Sequence, residues 1–172
     1  MHPKFRQYTL SQIHEVVETN DKKRFSITTL DTSSGPQEFI RANQGHTIKT
    51  IQVDMQEITS AGEYPTIIHG THRTAWGLIS EDPRGLSRMK RNHIHFATGM
   101  IGEKGVISGM RFTCTVLIYV DLEKALRDGI KFFKSENGVV LTEGERGEGY
   151  LSKEYFKKVV TNKGEVLWPL QP

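Results

Sequence analysis

Leu10, Ile13, Val16 and Val17 recur at the spacing of one helix face, and Thr9 followed by Gln12 forms the pair of a capping box. The pattern predicts a helix over Ser11–Thr19. Next, Arg24–Thr28 and Glu38–Ala42 have strand composition, and the turn formers Asp31-Thr32-Ser33-Ser34-Gly35-Pro36 lie between them. Helix followed by hairpin is how a winged-helix unit ends. The polar stretch Thr59–Glu63 predicts a link to a second, β-rich lobe. There Pro65–Thr71 reads as a strand running into a loop, and His93–Ala97 and Thr113–Asp121 as strands. Leu122–Asp128 predicts a short helix ended by Gly129, and Lys131–Phe133 and Gly138–Thr142 two more strands. Ser152 is the expected cap of a last helix over Lys153–Val160, whose apolar face would be Tyr155, Phe156, Val159 and Val160. Few helices and no βαβ alternation give an α+β class, with lobes at 1–60 and 61–172.

At 172 residues, 36% hydrophobic and 25% charged, the chain has ordinary globular proportions, which exclude disorder and collagen-like repeats. The single Cys114 rules out an internal disulfide framework and Cys-rich zinc sites. Apolar runs such as Val116–Val120 are strand length, and Met1–Arg6 does not open a signal peptide. The expectation is an intracellular protein, cytoplasmic or nuclear, with no membrane partner and a monomeric state.

Several motifs fail on inspection. His14-Glu15-Val16-Val17-Glu18 places Glu where a zinc-protease helix needs its second His. Gly144–Gly149 has the wrong glycine order for a dinucleotide fingerprint, and no Walker lysine is present. His69 with His72, and His93 with His95, leave three readings open: metal ligation, burial, or hydrogen bonding to a ligand. No third ligand stands near, so no metal is assigned. The net charge of +3 says little, but Lys22-Lys23-Arg24 and Arg84, Arg88, Lys90 and Arg91 cluster. Each cluster is either a phosphate site or a solvated face.

Arg41-Ala42-Asn43-Gln44-Gly45-His46 gathers a guanidinium, two amides and an imidazole where a strand ends. An arginine fork suits phosphate oxygens, and amides can complete the cradle. Arg111 stands at the expected start of the most apolar strand, where a guanidinium is costly unless an anion or carboxylate pairs it. For both arginines a structural salt bridge is the competing reading.

Five strings then occur in order: Ile40–His46, His69-Gly70-Thr71, Gly85–Met89 with Arg91–His95, Ile107–Arg111, and Asn137–Thr142. Together they resemble the NAD-dependent tRNA 2′-phosphotransferase family in its eukaryotic form, from His2-Pro3-Lys4-Phe5-Arg6 to the region of Tyr155-Phe156. The resemblance implies a winged-helix-like RNA lobe followed by an ADP-ribosyltransferase-like split-sheet lobe that binds NAD, which is consumed as co-substrate. In the family's reaction, the 2′-phosphate of a ligated tRNA or RNA attacks the nicotinamide-bearing ribose carbon and expels nicotinamide. The ribose 2″-hydroxyl then attacks the phosphate, giving 2′-hydroxyl RNA and ADP-ribose 1″,2″-cyclic phosphate.

By the same resemblance Arg41 and Arg111 are the catalytic ligands of the transferred phosphate. His69, Gly70 and Thr71 hold the nicotinamide riboside; Ser87, Arg88, Asn92 and His95 contact ADP-ribose, supported by Asn43, Gln44 and His46. The family's Leu-Arg-His element has no counterpart in the chain, and the expectation is that step two suffers without it. That departure keeps two other functions in view: ADP-ribosylation of nucleic-acid phosphates, which needs only step one, and non-catalytic binding of NAD or ADP-ribose.

Overall fold

The computed structural model describes residues 7–48, 55–103, 106 and 109–169. The quoted Met1–Arg6 segment, Ile107 and Ser108 lie outside the described residues. Helix α1 spans Leu10–Glu18, and the capping box forms: Thr9 Oγ1 accepts from the Gln12 N–H and Gln12 Oε1 from the Thr9 N–H. The hairpin follows as β1 (Phe25–Thr32) and β2 (Gly35–Ala42), with Ser26 opposite Arg41.

The rest is built on two four-stranded antiparallel sheets. Strands β3 (Met55–Ile58), β4 (Ile67–Thr71), β5 (Leu86–Ser87), β6 (Ile94–Phe96) and β7 (Val116–Val120) come first, with helix α2 (Arg73–Glu81) between β4 and β5. Helix α3 (Leu122–Arg127) precedes β8 (Phe132–Ser135), β9 (Val140–Thr142), β10 (Tyr150–Leu151), β11 (Phe156–Thr161) and β12 (Val166–Trp168). One sheet has the order β12-β11-β7-β4 and the other β3-β8-β9-β6, while β5 and β10 make a small ribbon. Strand β3 lies within the expected first lobe yet pairs along its length with β8 in the second.

Alternation along β7 explains how one strand serves two cores. Val116, Ile118 and Val120 face a cluster that both sheets share, with Phe96, Phe132 and Ile94 from the second sheet. Leu117 points the other way, into a smaller cluster of Ile68, Ala97, Met110 and Cys114. Each fully buried Phe or Ile contributes about 1.5–3 kcal/mol, so this two-sided burial fixes the register of β7 and its neighbours. The sheets also touch through backbone: Ile68 and Ala97 exchange both hydrogen bonds, at 2.9 and 2.8 Å.

Three expectations need correction. The segment after Ser152 is not a helix: Lys153–Tyr155 is a single 3₁₀ turn without a Ser152 side-chain cap, and Phe156–Thr161 is strand β11. A register shift between Phe156 and Lys158 hides the two-residue period and mimics helical spacing. The residues after Thr71 form α2, not a loop. Arg111 is exposed in a turn ahead of β7, which begins at Val116, so no burial penalty acts on it. Among the described residues no helix is long and apolar enough to cross a membrane.

Candidate functional site

Where β4 and β6 part beyond the Ile68–Ala97 bridge, the 109–114 turn and the start of the hairpin close off a cavity of about 500 Å³. Its lining includes His69, Gly70, Thr71 and His72 from β4 and the start of α2, and His95 from β6. Gln44 and Gly45 enter after β2, and Lys22, Arg24, Arg91 and Arg111 supply four cations. None of its described lining residues is an Asp or Glu. A cavity so lined presents positive potential to an anion.

Two glycines let the walls meet. A Cβ on Gly70 would collide with the Met110 side chain and Cys114 Sγ. Gly109 has φ of +106° and lies against the Ala97 backbone. Together they seat the turn bearing Arg111 on the end of β4. Lys22 fastens that turn from the other side, its Nζ donating to the Met110 carbonyl at 2.8 Å.

The two histidines are linked. His69 Nδ1 donates to the His95 carbonyl oxygen at 2.9 Å, which leaves Nε2 of the neutral ring as an acceptor. Burial pushes the His69 pKa down from its ordinary value. His95 is 7% exposed, and burial, with Arg91 and the neighbouring histidines, pushes its pKa down to about 3. Its Nε2 is buried without a hydrogen-bond partner among the described residues. An orphaned polar atom on a cavity wall is what a bound polar ligand would satisfy.

Backbone polarity adds a second recognition element. Ile68 spends both its N–H and C=O on Ala97, on the side of β4 away from β7. Gly70, two residues on, directs its backbone groups to the same side, where the cavity lies.

The cavity therefore brings together His69, Gly70, Thr71, His95, Gln44 and Arg111 from the expected set. The others sit elsewhere. Arg41 lines a separate groove, with Nη2 2.9 Å from Glu136 Oε2. Asn43 is buried as a staple, donating to the Lys23 carbonyl and accepting from Ser26 Oγ. His46 Nε2 donates to the Ala42 carbonyl, and Asn92 Nδ2 to the Ile48 carbonyl. Ser87 Oγ accepts from the Met89 N–H, and Arg88 donates to the Asn92 carbonyl. Sequence reasoning flagged Lys22, Arg24 and Arg91 as basic clusters without placing them at the site; only the third dimension joins them. Arg84 of the same cluster is spent on Asp82 and the Tyr150 ring. His93 faces Glu143 at 3.9 Å, apart from the cavity. No group of three His, Cys, Asp or Glu side chains is placed to hold a metal among the described residues.

Residues 1–144 match the profile of the RNA 2'-phosphotransferase, Tpt1 / KptA family. The chain belongs to this family. It is 51% identical over 165 residues to the "Putative tRNA 2'-phosphotransferase" of Schizosaccharomyces pombe, covering 96% of the chain and 43% of that protein. It is 43% identical over 159 residues to "tRNA 2'-phosphotransferase 1" of Danio rerio, covering 91% and 68%. The protein of that name in Homo sapiens is 40% identical over 159 residues, covering 92% and 61%. The chain thus spans between 43% and 68% of the length of these relatives. The whole cavity lining, from Lys22 to Cys114, falls inside the stretch that matches the 2'-phosphotransferase family.

Proposed function

We propose that this chain binds NAD in the cavity between β4, β6 and the 109–114 turn and transfers to it the 2′-phosphate left on ligated tRNA. The two-sheet part is then an ADP-ribosyltransferase-like NAD lobe, and α1 with its hairpin the winged-helix-like part that meets RNA. The observation that carries this is the convergence of the orphaned His95 Nε2, the His69 acceptor and Arg111 on one cavity without a described carboxylate. Its volume falls within the ~300–1,000 Å³ usual for small-molecule sites.

The residues suit the chemistry. The Gly70 backbone offers one donor and one acceptor, the complement of a carboxamide, while His69 Nε2 accepts from a ribose hydroxyl. In step one an RNA 2′-phosphate oxygen bonds to the ribose C1″ as the C1″–N bond breaks, and nicotinamide leaves with the electron pair. In step two the ribose 2″-oxygen bonds to phosphorus, the RNA 2′-oxygen leaves, and the hydroxyl proton passes to it. Both steps crowd negative charge around one phosphorus, which Arg111 stabilises from the cavity wall, joined by Arg41 once it leaves Glu136. A tRNA substrate implies an intracellular site of action, cytoplasmic or nuclear, and the assignment needs only a monomer.

A second reading, ADP-ribosylation of a nucleic-acid phosphate by step one alone, is favoured by the Arg41–Glu136 pair. That pair holds one of the two expected phosphate ligands outside the cavity. Incubating the chain with NAD and an RNA carrying one internal 2′-phosphate, and weighing the products, separates the readings. Conversion to 2′-hydroxyl RNA with nicotinamide release supports transfer. RNA that retains ADP-ribose supports the second reading, and no nicotinamide release contradicts both.

A further inference from the structure

Lys22, Arg24 and Met110 form a wall shared by the cavity and a second groove of about 700 Å³, which runs toward the end of α1. Across that groove stand Ile101, Val106 and Phe112. Phe112 is 76% exposed, although it directly follows Arg111 on the cavity wall. Lys22 Nζ lies 5.0 Å from the centre of its ring while donating to the Met110 carbonyl. The ammonium is therefore held at two points. Its burial and the neighbouring Arg24 lower its pKa from the ordinary lysine value, in keeping with a fixed rather than a freely hydrated charge.

An aromatic face beside an anchored ammonium and a neighbouring guanidinium suits single-stranded nucleic acid, whose backbone follows the charges while a base stacks on the ring. Charge favours RNA over an apolar protein segment. Asp21 is the sole carboxylate among the groove's described lining residues, facing Lys22 and Arg24, with Arg111 next along the chain. Continuity matters as well, because the shared wall leads from this groove into the proposed reaction cavity.

We propose that Phe112 stacks the base adjoining the 2′-phosphorylated nucleotide, with Lys22 and Arg24 on the intervening phosphate, so that this groove is the track by which RNA enters. The inference rests on the function proposed above and adds to it a residue that positions substrate. A nucleotide held there has its 2′-phosphate delivered beside Arg111, and a substrate without the adjoining base loses that hold.

The test titrates the chain with two short 2′-phosphorylated RNAs, one intact and one abasic at the adjoining position, by fluorescence anisotropy. Phe112→Ala is expected to weaken binding of the intact RNA by about fivefold or more, the usual effect of losing one base–aromatic stack. Phe112→Trp should retain affinity. The abasic RNA should bind the unaltered chain as weakly as the intact RNA binds Phe112→Ala, with no further loss when both changes combine. NAD affinity, measured by calorimetry, should not move. Equal binding of the two RNAs by the unaltered chain overturns the role of Phe112 while leaving the cavity's function standing. Failure of both RNAs to bind overturns the stack and the RNA half of the proposed function together.

Discussion

His69 donates to the backbone carbonyl of His95, and this one hydrogen bond fixes the ring of the first histidine against the strand that carries the second. Because both rings titrate below the ordinary histidine value, both are neutral at pH 7. The cavity's charge then comes from its arginines and lysine, and the imidazoles act as hydrogen-bonding groups.

Acid should expose this arrangement. The folded His95 pKa of about 3 lies below the unfolded value near 6.5, so between these limits the unfolded chain holds a proton that the folded chain does not. Stability is present above pH ~6.5 and falls as pH drops toward 3, by up to about 1.4 kcal/mol per pH unit from this residue. Denaturant unfolding at pH 7 and pH 5 should show the loss, and His95→Asn should flatten it. An unchanged slope in the variant would place the pH dependence elsewhere.

Gly70→Ala is expected to be costly despite adding one methyl group. The new Cβ meets Met110 and Cys114, and the turn bearing Arg111 must shift. Overpacking of this kind costs about 1–3 kcal/mol. Thermal unfolding should record a lower midpoint and calorimetry a weaker affinity for NAD, whereas an alanine tolerated on both counts would mean the turn is not seated as described.

Arg111→Ala removes a donor from the developing anion and should lower kcat/KM for phosphate transfer by about 2–4 kcal/mol, roughly 30- to 1,000-fold. The proposed transfer requires Arg41 to leave Glu136 for the phosphate, so Arg41→Ala should cause a similar loss. That ion pair is close to half exposed on both sides, so releasing it costs little, about 0–1 kcal/mol. Glu136→Gln should accordingly unfold at nearly the same temperature as the unaltered chain. Unimpaired transfer by Arg41→Ala would assign Arg41 to the ion pair alone.

Local signals made much of the fold legible. The Thr9–Gln12 box, the turn-rich hairpin and the Gly129 that ends α3, with a φ of +85°, are all short-range features. What escaped depends on distant partners. Strand β11 pairs on both sides, with β7 and β12, and a register shift breaks its alternation. Helix α2 lacks a side-chain cap, so no start signal marks it in the sequence. At the site, His69, Gly70 and Thr71 were legible as one of the strings that carry the family resemblance. The placing of Lys22, Arg24 and Arg91 at the cavity depends on two loops far apart in sequence meeting. Asn43 shows the reverse case, an amide singled out for a ligand and used instead to staple the hairpin to Lys23.

The most direct test titrates NAD into the unaltered chain and into His69→Ala and Arg41→Ala by calorimetry. The account predicts one-site binding that is lost in His69→Ala, whose ring lines the cavity, and kept in Arg41→Ala, whose guanidinium is held at Glu136 outside it. Absence of binding by the unaltered chain, or equal binding by His69→Ala, would contradict it.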